Sequence, residues 1–450
     1  MSASARGILF LSVVLLLVAG CGGVEPVPPA PTRTLVSPKD TFVPATATSV
    51  AATATLLPTA TTLPAPTSMA TATEAPTRAP SPEPLTRADV KTFDGPDGDI
   101  AYSILLTADG GALIAGLANN TQLHGHGALQ SNARLIKTDL EGDTIWEKDY
   151  GGVVSAAFFS MIQAARGEYV LLGEIGSTEA GDNTDMSLVK VDEEGNELWS
   201  HTYGRSGKEL ARSVQQTADG GYVLIGSTTS VPDTYASIYL VKTDAQGNEV
   251  WSRAYGDQFL HLGWGVTQMP DGGYILTGFA APNHDARDIL AMKISAVGDL
   301  EWSRTWDFGG LDEGFAVALA PDGNVVLLGA ASFGRPESNI VLLKVDPQGN
   351  EIWNRTVGET GATAWHITAM PEGGYVLGGG TGSSALMLKT DAEGQLLWQR
   401  TFGSGEYADA FVGPVVLLPD GEYVFVGGVT RHGEKSPDML WLKLVPGHGF

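Results

Sequence analysis

From about residue 90 the chain alternates short apolar runs with polar turns rich in Asp and Gly. Ser213-Val214-Gln215-Gln216-Thr217 and Tyr222-Val223-Leu224-Ile225-Gly226 flank Asp219-Gly220-Gly221. Asp-Gly between such runs predicts a hairpin, because glycine takes the positive φ that a tight turn demands. Ile238-Tyr239-Leu240-Val241-Lys242 and Glu249-Val250-Trp251-Ser252-Arg253 are joined in the same way through Asp244 and Gly247.

The unit recurs about every 50 residues, which marks a repeat architecture. One phase is Lys-x-Asp-x-x-Gly-x-x-x-Trp, first at Lys137, Asp139, Gly142 and Trp146 and again around Trp199, Trp251, Trp353 and Trp398. Lys293, Gly298 and Trp302 form a copy with Ser295 in place of Asp, and Trp441-Leu442-Lys443-Leu444 begins a last one. The second phase, Asp-Gly-Gly-Tyr or a variant, occurs at Asp109, Gly167, Asp219, Asp271, Asp322, Glu372 and Asp420, making seven copies. Four short strands per unit predict an all-β fold, a seven-bladed β-propeller of four-stranded blades. The seventh copy lacks its fourth strand, while Asp89-Val90-Lys91-Thr92-Phe93-Asp94-Gly95 matches the ends of complete copies such as Ser252-Arg253-Ala254-Tyr255-Gly256. An N-terminal strand is therefore expected to complete the last blade and close the ring.

Trp146, Trp199, Trp251, Trp302, Trp353 and Trp398 share one repeat position, which predicts structural docking of each blade on its neighbour. In the same phase, the Asp is placed to cap the turn and the Lys to pair with acids on the blade edge. The Asp-Gly-Gly turns lack the alternating oxygen ligands of a calcium loop.

Three segments are expected: 1–20, 21–85 and 86–450. In the first, Arg6 precedes an apolar run from Ile8 to Ala19, long enough for a signal-peptide core but short of the roughly 20 residues that span a bilayer. Leu17-Val18-Ala19-Gly20-Cys21 resembles a bacterial lipobox, which predicts lipidation at Cys21 and a protein exported and lipid-anchored to the cell membrane or outer membrane, facing the extracytoplasmic side. Residues 21–85 are dominated by Pro, Thr, Ala, Ser and Val and read as a disordered stalk.

Charge and cysteine content narrow the function. The formal net charge of -24 excludes nucleic acid as a partner, since a duplex needs clustered Lys and Arg. With 1 Cys in the chain, disulfide-stapled and multi-cysteine metal scaffolds are excluded. There is no His-Glu-x-x-His, Gly-x-Ser-x-Gly or phosphate-binding loop. Gly378-Gly379-Gly380-Thr381-Gly382 reads as an interstrand turn, and His124-Gly125-His126 as a solvated loop without a third metal ligand. Acids gather in the blade-to-blade loops, at Asp94, Asp97, Asp99, Asp257, Asp307, Asp312, Glu313, Glu359, Glu406 and Asp409, with Asp182, Asp185 and Asp285 on the same face. They read as a solvated face, with acid–base work on a glycan as the other reading. Tyr102, Phe159, Trp264, Phe315, Trp365 and Phe411, with Arg212 in the third copy, recur where the innermost strand begins. They serve either inter-blade packing or ligand binding at the axial mouth.

The Lys-x-Asp, Gly-Asn-Glu and Trp pattern resembles the tryptophan-docking repeats of pyrroloquinoline-quinone-like propellers, and more closely a group of exported bacterial proteins with Asp-Gly-Gly-Tyr repeats. The resemblance covers about residues 90–445 and implies architecture. The quinone-dependent dehydrogenases of that family have eight blades, adjacent cysteines and calcium-ligating acids. This chain has seven repeats and no cysteine beyond Cys21, so no cofactor and no metal are expected. Other members are non-catalytic assembly lipoproteins. The expectation is a monomeric, membrane-tethered, non-catalytic platform for a protein or glycan partner. The alternative is an extracytoplasmic enzyme, carbohydrate-active or quinone-dependent.

Overall fold

A computed structural model describes residues 85–93, 98–118, 131–151, 156–165, 167–176, 183–231, 234–283, 286–403, 407–418, 421–433 and 437–446. Cys21, the leader, the stalk up to residue 84, His124, His126, Asp94, Asp97, Asp182, Asp285, Glu406 and Asp420 lie outside them.

The described residues form seven four-stranded antiparallel sheets. Blades one to six take residues 100–150, 156–203, 209–255, 260–306, 313–357 and 363–402 in order. Blade seven joins Tyr407–Leu417, Tyr423–Arg431 and Asp438–Pro446 to the N-terminal strand Leu85–Phe93. The expected closure is thus present, with Phe93 opposite Met439, Lys91 opposite Trp441 and Asp89 opposite Lys443. Burial follows position within a blade. Val325–Ala331, a second strand, is buried at all seven positions because blades pack on both of its faces. Glu249–Tyr255, a fourth strand, is largely exposed, as an outer edge must be.

Two contacts repeat around the ring. Within each blade the third-strand lysine pairs with the acid of the first hairpin turn. The pairs are Lys137–Asp109 (2.7 Å), Lys190–Glu168 (2.6 Å), Lys242–Asp219 (2.9 Å), Lys293–Asp271 (2.5 Å), Lys344–Asp322 (2.6 Å), Lys389–Glu372 (3.3 Å) and Lys443–Glu422 (2.7 Å). Lys293 is 1% exposed, so its ammonium depends on this partner. The Lys137 ammonium and the Thr107 hydroxyl hold the Asp109 carboxyl down at about 2.

Between blades, the tryptophan of one outer strand lies on the Asp-x-x-Gly turn of the next. Trp146, Trp199, Trp251, Trp302 and Trp353 face Gly195, Gly247, Gly298, Gly349 and Gly394. These glycines have φ between 74° and 90°, and a Cβ on any of them would lie 2.7–3.2 Å from the indole. The turn is capped by its own Asp: Asp244 accepts the backbone N–H of Gln246 and Asn248 at 2.9 and 2.8 Å. Ser295 does the same for Asp299 at 3.0 Å, which explains how serine replaces Asp in that copy. Tyr150, Tyr203 and Tyr255 add hydroxyl hydrogen bonds to the carbonyls of Gly195, Gly247 and Gly298 at 2.6–2.8 Å.

At the closing blade the pattern changes. Asp89 occupies the tryptophan position, and Trp441, from the third strand instead of the fourth, covers Gly142 of blade one. Trp398 packs edge-on to Tyr423, with ring centroids 6.0 Å apart.

Deleting residues 85–93 strips the closing edge from Asp438–Pro446 and removes the partner of Lys443's strand. We expect a loss of about 3 kcal/mol or more in urea unfolding, against almost none for deletion of residues 30–80, whose Pro, Thr and Ala composition cannot bury a core. Equal losses would contradict closure by the N-terminal strand.

Candidate functional site

The first strand of each blade runs along the propeller axis, and a β-bulge interrupts all seven, at one shared position in blades one to six. Ladder register shifts between Ala101 and Ser103, Phe158 and Ser160, Ala211 and Ser213, Gly263 and Gly265, Gly314 and Ala316, and Ala364 and His366. The extra residues are Tyr102, Phe159, Arg212, Trp264, Phe315 and Trp365. A bulge re-aims one side chain out of the ladder, here toward the axis. The second strand accommodates it with a glycine. At Gly116, Gly173, Gly226, Gly278, Gly329, Gly379 and Gly427 a Cβ would fall 1.7–2.5 Å from a first-strand carbonyl oxygen.

Blade seven departs from this register. Its bulge holds two residues, Gly413 and Pro414, between Val412 and Val415. Phe411 lies opposite Gly428, two residues ahead of the bulge position used elsewhere. It still reaches the axial cluster, meeting Trp365 edge-on at 5.9 Å and packing with Tyr102 and Phe159 on Ile100, Leu117 and Ala157. A Cβ on Gly378 would lie 2.0 Å from the carbonyl oxygen of Gly413, so the glycine-rich run 378–382 partly serves this close approach of blades six and seven.

Five of the axial side chains, from Tyr102 to Phe315, touch in succession. Tyr102 and Phe159 are 5.1 Å apart between ring centroids, and Trp264 meets Phe315 edge-on at 5.8 Å. Arg212 is held between two rings, 5.4 Å from Phe159 and 4.7 Å from Trp264. All are half-buried except Phe315, at 6% exposed.

A residue that the pattern reading passed over completes the cluster. Glu174 follows the second-strand glycine of blade two, where the other blades carry Leu117, Ser227, Phe279, Ala330, Gly380 and Gly428. Its Oε1 accepts the Ala211 backbone N–H at 3.0 Å and Arg212 Nη1 at 3.2 Å. Burial pushes the Glu174 carboxyl up, and Arg212 opposes that shift. Burial likewise pushes the Tyr102 phenol above its ordinary range and holds His366, the residue after Trp365, down at about 4. The signal was available, because Glu174 is the one acid at its repeat position.

Around this centre the loop acids are tied into the scaffold. Asp99 pairs with Arg134 at 3.1 Å, and Arg134 also grips Asp149. Glu209 accepts the hydroxyls of Thr228 (2.6 Å) and Ser230 (2.5 Å), and Asp312 accepts the backbone N–H of Ser332 at 2.9 Å. Glu313 pairs with Arg287, which lies over Phe279. Asp257 and Asp307 cap short turns at Phe259 and Gly309. Burial and the neighbouring Glu209 raise Asp185. Among the described residues no group of three His, Cys, Asp or Glu is placed to hold a metal ion.

No family model and no curated protein matches this sequence. Some solved structures resemble it at low identity. A glucose dehydrogenase is 10% identical with a TM-score of 0.40, covering 64% of this chain and 96% of its own. Prolyl oligopeptidase B from Galerina marginata is 11% identical with a TM-score of 0.43, covering 74% of this chain and 48% of its own. The PQQ-bound aldose sugar dehydrogenase from Streptomyces coelicolor is 11% identical with a TM-score of 0.39, covering 81% and 100%. Likeness at this level bears on neither substrate nor cofactor.

Asp409, on the first strand of blade seven, is raised to about 6 by burial. Its protonated form is favoured by folding, so its contribution is full below about pH 4 and is lost as pH rises through about 6. Asp409→Asn should therefore stabilise the protein at pH 7.5 by about 1–2 kcal/mol, after discounting for its partial contact with water, and by nothing at pH 3.5. A gain of the same size at both pH values in thermal unfolding would show that the carboxyl's charge is not the cause.

Proposed function

We propose that the protein is a membrane-tethered extracytoplasmic propeller that captures a ligand at its axial mouth without transforming it. One observation carries this reading. Repeat positions that hold the ring together stay chemically constant, as in the lysine–acid pairs and the glycines under tryptophan, whereas the axial bulge position changes from blade to blade. A residue needed only to pack a repeat can be the same in every copy, while a ligand that breaks the symmetry needs different contacts from different blades. The tether is the proposed acyl chain on Cys21.

Four carboxyls of the loop face support a binding role over acid–base chemistry. Asp99, Glu209, Asp312 and Glu313 are buried and engaged with arginine, hydroxyl or backbone donors. A general acid must be able to reach a substrate atom.

Two measurements test the proposal. Indole N–H resonances, assigned by Trp264→Phe, Trp365→Phe and Trp398→Phe, should respond to binding hits from a panel of oligosaccharides and peptides at Trp264 and Trp365 and not at Trp398. Trp264→Ala and Trp365→Ala should each weaken a hit by about 1–3 kcal/mol. Hits that move only Trp398, or variants that lose stability but keep affinity, would return the axial aromatics to packing. Cys21→Ser should move the protein from the membrane to the soluble fraction. Retention through a high-salt wash would remove the lipid anchor from the account.

A further inference from the structure

Blades two and three depart from the repeat together. At the bulge position of blades one to six, five residues are aromatic and one, Arg212, is charged. At the position after the second-strand glycine, one residue is acidic, Glu174. The two departures meet, with side chains only 10% and 14% exposed. The other blades fill these two axial positions without an ion pair, and the Glu313–Arg287 pair between blades five and four uses different positions, so the repeat does not require a pair here. A nearly buried ion pair also contributes little net stability against apolar replacements of similar volume.

Some of its hydrogen-bonding capacity is unspent. Among the described residues, Arg212 directs Nη1 to Glu174 and to the Ala211 carbonyl, and no bond is formed by Nε, Nη2 or Glu174 Oε2. The buried Trp264 Nε1–H, on the ring that Arg212 covers, also lacks a partner. A buried donor left in this way costs free energy that a ligand acceptor would recover. Donors on Arg212 and Trp264 and an acceptor on Glu174 therefore stand together, walled by Phe159 and Tyr102.

We infer that this cluster is a subsite for one uncharged sugar ring of a glycan, read through neighbouring hydroxyls by Glu174, Arg212 and Trp264. The inference rests on the mouth being a binding site and assigns its ligand class. Each hydroxyl of a sugar both donates and accepts, which matches an acceptor set beside donors. The pair is neutral overall, so a uronic acid would meet Glu174 and a basic side chain would meet Arg212. The C–H faces of a sugar ring suit aromatic walls.

The test uses the full chain in a detergent without a sugar headgroup. Maltotriose, cellotriose, mannotriose and trigalacturonic acid are titrated calorimetrically, with an unrelated peptide panel in parallel. At least one neutral trisaccharide should bind, and bind more tightly than trigalacturonic acid. Glu174→Gln and Trp264→Phe should each weaken it about tenfold. Glu174→Leu combined with Arg212→Met keeps the volume and removes both charges; it should fold with an unchanged melting temperature and lose binding. Three results would overturn the inference: no neutral trisaccharide binding, tighter binding of trigalacturonic acid, or full affinity in the charge-free double variant. A peptide that shifts the Trp264 indole while no sugar does would overturn the sugar assignment and leave the mouth reading intact. No shift from either class would remove both.

Discussion

An indole lying on a glycine turn of the following blade is the contact from which the rest of the ring follows. It needs a turn with positive φ and no Cβ, a tryptophan on the outer strand, and blades offset so that the two meet. Once one pair is seated, the rotation between blades is set, and repeating it around the ring brings the last blade back to the first. The lysine–acid pairs act within blades, tying the first hairpin turn to the third strand, so each blade arrives at its neighbour as a stiff unit. Closure is where this scheme is weakest, since Asp89 stands at the tryptophan position. Trp441 substitutes from the adjacent strand and reaches Gly142, and Arg431 bonds both Asp438 (2.6 Å) and Thr92 (2.9 Å), fastening the two chain ends together.

Because the perimeter and the hairpin turns carry the structural duty, the axial ends of the inner strands are released from it. The bulge and the facing glycine form a backbone device that projects one side chain per blade without dictating its type. Tyrosine, phenylalanine, arginine and tryptophan all occupy it. The Glu174–Arg212 pair shows how far this freedom extends, since an ion pair sits where the other blades place uncharged residues.

Much of this was legible in the sequence. Period, strand count and the N-terminal closing strand follow from Asp-Gly and Asp-x-x-Gly turns, because turn chemistry is local and each copy repeats it. Three features were not legible from the pattern. A bulge adds a residue without changing the alternation of neighbours strongly enough to be seen, so Tyr102 and its counterparts were placed where the strand begins and not recognised as the extra residue. Phe411 looked equivalent to them because Gly413 and Pro414 lengthen the bulge in blade seven, and only the ladder reveals the offset. Glu174 does not stand out from the pattern because it lies within a strand and away from the acid-rich loops, and its signal is a single acid at a repeat position otherwise lacking one. The readings on Cys21 and His124 concern residues outside those described.

Glycine under tryptophan, beyond glycine in a turn, holds the blades in register. Gly195 and Gly110 separate the two roles. Both have positive φ, at 74° and 92°, but a Cβ on Gly195 would lie 2.7 Å from Trp146, whereas one on Gly110 meets nothing within 4 Å. Urea unfolding of Gly195→Ala and Gly110→Ala compares them directly. Each should lose about 1 kcal/mol from the turn conformation, and Gly195→Ala about 1–3 kcal/mol more from displacing the indole. Equal losses in the two variants would contradict the account.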